Sequence, residues 1–135
     1  MNRVIQIIAA AGAGACGFLF GEMDGLLYAL ITFMILDYIT GVLVAAFRRE
    51  LSSKVGFRGL AKKGVIFAIV ALGHILDAYV LSGGHDICRC AAVGFYLANE
   101  GLSILENGDA LGIKYPKIIK SVLLQIREKE ENEDE

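Results

Sequence analysis

Four long apolar runs divide this chain: Val4–Phe20, Leu26–Phe47, Val65–Leu81 and, with more polar residues, Ile87–Leu105. Each is as long as the roughly 17–25 residues an α-helix needs to cross a hydrocarbon core of about 30 Å. The runs do not alternate with period two, and they exceed the roughly 9–11 residues of a barrel strand. In lipid, backbone groups must be hydrogen-bonded within a helix or a closed barrel, so the runs predict an all-α integral membrane bundle of four transmembrane helices. Composition agrees. Of 135 residues 56% are hydrophobic, with one Pro, no Trp and a mean hydropathy of +0.57, far more apolar than ordinary soluble domains. No linker, repeat or low-complexity segment precedes the last few residues. One membrane domain over 1–112 and a C-terminal amphipathic helix with an acidic tail over 113–135 are expected.

Lysines and arginines orient the bundle. RRELSSKVGFRGLAKK, between the second and third runs, holds Arg48, Arg49, Lys54, Arg58, Lys62 and Lys63 against one acid, Glu50. Such a loop belongs on the cytoplasmic side, where each base gains about 1 kcal/mol from anionic lipid. The same stretch offers Ser52 or Ser53 as the N-cap of a short helix entering the third span. Gly21–Gly25 carries Glu22 and Asp24 without a base, and Ser82–Asp86 carries only His85 and Asp86; both connections are expected outside. With four crossings, Arg3 and the stretch containing Lys114, Lys117, Lys120, Arg127 and Lys129 fall inside, both termini being cytoplasmic. Three crossings, with the segment from Ile87 in the interface, is the competing count and puts a basic end outside.

The start of the chain admits two readings. Arg3 followed by VIQIIAAAGAGACG has the shape of a signal peptide, and AGAC, Ala13–Cys16, resembles a lipoprotein processing site. The apolar run continues through Phe18, Leu19 and Phe20, however, so a retained span is expected. Within it Ala9, Ala13 and Gly17, and Ala10 with Gly14, recur every four residues, a spacing that lets helix backbones approach in lipid. Cys16, Cys88 and Cys90 are expected as small buried apolar residues. HDICRC lacks the four ligands and the wider cysteine spacing of structural zinc sites, so neither a metal nor another cofactor is expected.

Polar groups inside the runs cost a few kcal/mol each, about 2.5–3.5 for a charge on insertion scales, and therefore mark helix contacts or water. Asp37, Thr40 and Gly41 share one face of the second run. That face either seals against a neighbouring helix, with Thr40 as hydrogen-bond partner, or lines water. On the fourth run Arg89, Tyr96, Glu100, Ser103 and Asn107 follow at steps of seven, four, three and four, flanked by Asn99 and Glu106. This stripe packs inward in an oligomer, faces an aqueous lumen, or hydrogen-bonds within a single bundle. Asp77 and Arg89, near the external ends of their runs, are expected to form an ion pair. Beyond Pro116, the apolar Tyr115, Ile118, Ile119, Val122, Leu123 and Ile126 oppose Lys117, Lys120, Gln125 and Glu128, which predicts an interfacial or partner-docking helix. EKEENEDE, Glu128–Glu135, is expected to be disordered.

Three separate segments carry a resemblance: LDYITGVLVAA, LSSKVGFRGLAKK, and NEGLSILEN followed by LGIKYP. From Leu36 to Pro116 they resemble the phage holin family that includes toxin-secretion holin-like proteins of Gram-positive bacteria. The resemblance implies a small bacterial inner-membrane protein without enzyme activity or nucleic-acid partner. Such a protein forms homo-oligomers and permeabilises the cytoplasmic membrane, releasing an endolysin or a toxin. The motif positions present are Asp37, Thr40, Gly41, Leu51, Ser52, Ser53, Gly56, Gly59, Lys62, Lys63, Asn99, Glu100, Gly101, Ser103, Glu106, Asn107, Gly112 and Pro116. Such proteins are often described with three spans, one fewer than the runs counted here. Two other classes stay open: an ion or cation carrier using Asp37 or Glu100, and an assembly protein that recruits a partner through its tail.

Overall fold

The computed structural model describes residues 2–81 and 83–132. Its helices are α1 (Asn2–Phe20), α2 (Gly25–Phe47), α3 (Ser53–Ile75), α4 (Ile87–Ala110) and α5 (Lys117–Asn132); α3 continues as a π-helical turn over Leu76–Val80. Among the described residues there is no strand. Three helices among the described residues are long and apolar enough to cross a membrane: α1, α2 and the α3 unit through Val80. The 24-residue α4 is long enough but not clearly apolar, because of its polar stripe.

Local chemistry sets the helix ends. Asp24 caps α2, its carboxylate accepting from the Leu27 N–H at 3.0 Å, and Ser52 caps α3, its hydroxyl accepting from the Val55 N–H at 3.2 Å. At the other end of α2, the Glu50 N–H donates to Ala45 O and the Arg49 N–H to Ala46 O. This is the paired closure that normally employs glycine, and Arg49 adopts φ 58° to make it. Helix α4 ends the same way around Gly112, at φ 76°.

The structure changes several expectations. The basic segment is not a loop: Lys54, Arg58, Lys62 and Lys63 lie on α3, because the Ser52 cap starts that helix early and it is not short. Helix α5 continues to Asn132, so the segment from Glu128 is helical rather than disordered as far as it is described; docking on α4 supports it, with Glu130 beside Gly94. Residues 133–135 lie outside the described residues. Cys16 and Cys90 are exposed, not buried, and Cys88 is half-buried. Nothing lies within 4 Å of a Cβ built at Gly12, Gly14 or Gly17, so the small-residue stripe makes no close contact inside one chain.

Helix α4 is the centre of the bundle, packed against α2, α3 and α5, while α1 packs on α3. Leu27, Leu30 and Met34 of α2 meet Val70 of α3 and Val93 of α4, all 2% exposed or less. In lipid such a core is held by close packing and interhelical hydrogen bonds rather than by escape from water. Backbones approach most tightly where Gly73 faces Cys88: an added Cβ would stand 2.9 Å from its carbonyl oxygen. Helix α1 has no buried residue.

Candidate functional site

The polar residues of α4 are paired at two levels. At the α1–α2 end, Arg89 is 2% exposed. Its Nε donates to Phe20 O at 2.7 Å, Nη1 to Asp24 Oδ2 at 2.7 Å, and Nη2 to Glu22 O at 2.8 Å. Arg89 thus clamps the α1–α2 connection onto α4. The Arg89 guanidinium bonded to Asp24 holds that carboxyl below its usual 3.8, against the opposing effect of burial. The expected Asp77–Arg89 ion pair is not formed. Asp77 sits in the π-helical turn and accepts the backbone N–H of Cys88 at 3.0 Å and of Arg89 at 2.8 Å. It caps the start of α4, whose first N–H groups have no intrahelical partner, leaving the guanidinium free to reach Asp24. Gly21, at φ 71°, leaves room for the His74 ring: a Cβ there would be 2.8 Å from it.

Towards the α2–α3 end, Lys63 Nζ donates to Asp37 Oδ2 at 2.8 Å and to Glu100 Oε2 at 2.7 Å. One ammonium therefore ties α2 and α4 to α3. Asn107 Nδ2 donates to Thr40 Oγ1 at 2.9 Å and to Asp37 Oδ1 at 3.2 Å, while Thr40 Oγ1 donates back to Leu36 O at 2.8 Å. Gly41 faces Asn107, 3.8 Å from Nδ2 to a built Cβ. Asp37, Thr40, Gly41, Glu100 and Asn107 thus form one seam, a charge network of two carboxylates and one lysine in a low-dielectric setting where pairing is needed.

The seam opens into a cleft of ≈ 910 Å³ between α2 and α3, lined by Tyr38, Val42, Gly56, Leu60, Lys62 and Ser103 among others. Tyr96 and Asn99 are half-buried on α4 away from this network, Glu106 is exposed, and Arg48, Arg49, Lys54, Arg58 and Lys62 are exposed at the α2–α3 end. Tyr115, in the turn after α4, donates to Asp109 Oδ2 at 3.0 Å; desolvation and that carboxylate push its pKa up.

Sequence reasoning missed Asp24 as the partner of Arg89, although an Asp just before an apolar run is a cap signal. It placed Lys63 with the solvated bases. Its adjacency to the third run was the available signal, but Lys62, its exposed neighbour, has the same signal, and only the helix face separates them.

This geometry defines a helical membrane protein in which Asp37, Lys63, Arg89, Glu100 and Asn107 are paired within one chain. The bacteriophage holin family matches residues 14–128, and the chain belongs to that family. It is a holin-like membrane protein, and the family is not an enzyme family. An uncharacterized protein of Listeria innocua is 44% identical over 134 residues, 98% of this chain and 94% of its own. A Listeria monocytogenes protein matches at the same identity and coverage. A protein of Bacillus phage phi105 named "Probable holin" is 37% identical over 105 residues, 78% of this chain and 76% of its own. No solved structure matches.

Proposed function

We propose that this protein accumulates in the bacterial cytoplasmic membrane as closed bundles, then oligomerises into a hole through which a lytic enzyme or a toxin leaves the cell. One observation carries the reading: Arg89, Glu100 and Asn107 are all paired within the chain, while α1 buries no residue. A bundle so built carries these polar groups into the bilayer already paired and keeps a whole apolar helix for lipid or for other copies. Four crossings are supported by the course of α4, which follows α2 from the level of Asp24 to that of Thr40. A bilayer that covers α2 over that length covers α4 as well. The exposed bases of the α2–α3 connection favour the cytoplasmic side for that end, against anionic lipid, together with the N-terminus and the α4–α5 turn.

Induced expression in bacteria holding a cytosolic fluorescent protein, with an impermeant dye outside, tests it. Abrupt dye entry and loss of the protein after a lag is the expected result. Continued growth with an intact barrier and confirmed insertion overturns the proposal. A second reading, a cation carrier, draws on the cleft that reaches Asp37 and Glu100, two carboxylates against one ammonium. Steady potassium or proton flux in liposomes that retain a large dye supports that reading instead.

A further inference from the structure

Helix α5 is too charged for lipid, yet it is held beside the spans. Leu123 fills the notch left by Gly101: a Cβ there would stand 2.8 and 2.9 Å from its two methyl groups and 3.2 Å from the Phe33 ring. Seven residues further along α5, Glu130 lies next to Gly94, seven residues earlier on α4, with Oε1 3.1 Å from a built Cβ. The two contacts run α5 antiparallel to α4, and because Leu123 and Phe33 both approach Gly101, α5 lies level with the first half of α2 across α4. From Lys117 to Glu130 a helix rises about 20 Å, most of a hydrocarbon core of about 30 Å. Away from α4, α5 exposes Lys117, Lys120, Gln125, Glu128 and Lys129. Acyl chains offer such groups neither hydrogen bonds nor counter-charge, whereas water does. The charged and amide groups of the stripe on α4 are already paired, Arg89 with Asp24, Glu100 with Lys63 and Asn107 with Thr40.

We infer that α5, rather than the polar stripe of α4, lines the aqueous lumen of the assembled hole, with further copies of the chain completing the ring. The inference rests on the hole-forming, four-crossing function proposed above. Its charged face meets the water, and the adjoining flank of Ile118, Ile119 and Val122, 68%, 45% and 46% exposed in the single chain, meets the next copy. The lumen then carries Lys117 and Lys120 towards the cytoplasmic mouth and Glu128 and Glu131 towards the other.

Single cysteines test this in the full chain, with Cys16, Cys88 and Cys90 replaced by Ala, or by Ser where Ala impairs insertion. Lys120→Cys, Gln125→Cys and Ser103→Cys proteins are reconstituted in dye-loaded liposomes and treated on both sides with a bulky, charged, impermeant thiol reagent, labelling being followed by mass. Modification at Lys120→Cys or Gln125→Cys is expected to slow dye release severalfold and to leave Ser103→Cys unchanged. Slowing confined to Ser103→Cys assigns the lumen to α4 and overturns the inference. Release indifferent to modification at all three positions overturns the lining while leaving the hole. No release by the inserted, unlabelled protein overturns the hole and the lining together.

Discussion

Leu123 of α5 rests on the bare backbone of Gly101 in α4, at a distance where one added carbon would meet both leucine methyls inside 3 Å. The contact joins the last helix to the centre of the bundle through a position where a side chain is excluded. Gly101→Ala gains about 0.5–1 kcal/mol in helix propensity but overpacks the notch at a cost of about 1–3 kcal/mol. Net destabilisation and faster proteolysis within α5 in detergent micelles are expected. Leu123→Ala loosens α5 by itself, and Gly101→Ala made on that background should cost less than in the natural chain only if the clash is its cause.

Lys63 serves two carboxylates at once, so its loss should exceed that of either acid. Lys63→Met leaves Asp37 and Glu100 facing each other without a cation, a loss on the order of 3–5 kcal/mol by analogy with broken buried pairs. Lys63→Met combined with Glu100→Gln should recover part of it. Thermal unfolding in micelles across the double-mutant cycle reads the coupling; strict additivity would show that the seam does not act as a unit.

The Arg89–Asp24 clamp gives a pH dependence of definite sign. Asp24 has a carboxyl pKa lowered below 3.8 by Arg89. The clamp's contribution is therefore complete above that unfolded value and is lost as pH falls through the lower folded value. Asp24 is more than a third exposed, so solvent screening keeps the contribution small. Melting temperature measured from pH 6 down to pH 2 should fall less steeply in Asp24→Asn than in the natural chain; parallel curves would refute the assignment.

Arg49 occupies the left-handed position that closes α2. A side chain there costs about 1–2 kcal/mol, so Arg49→Gly should stabilise the fold by about 1 kcal/mol, whereas Arg49→Ala should not. Chemical unfolding of the two variants in the same detergent separates backbone strain from the loss of one positive charge.

Much of the architecture is readable before any coordinates. The apolar runs of α1 and α2 end within a residue or two of their helices, since an unbroken greasy segment bounded by Gly, Asp or Arg has one way to satisfy its backbone in lipid. A serine cap was legible from residue type and place as Ser52 or Ser53, and the structure uses Ser52. The grouping of Asp37, Thr40 and Gly41 on one face followed from helical spacing, as did the alignment of Arg89, Glu100 and Asn107.

Partners were a different matter. Helical periodicity shows which residues share a face but not which charge on another helix comes opposite. Asp77 and Asp24 were both available to Arg89, and Lys62 and Lys63 were both available to the acids. Tertiary packing chose between them: the π-helical turn aims Asp77 at the start of α4, and the α3 face turns Lys63 inward and Lys62 out. The docking of α5 depends equally on shape, a leucine meeting a glycine from another part of the chain. The sequence by itself determined an all-helical membrane chain with a polar stripe. Only the tertiary structure decided that the stripe closes on its own bundle, because pairing distances depend on how helices pack and not on the order of residues within each one.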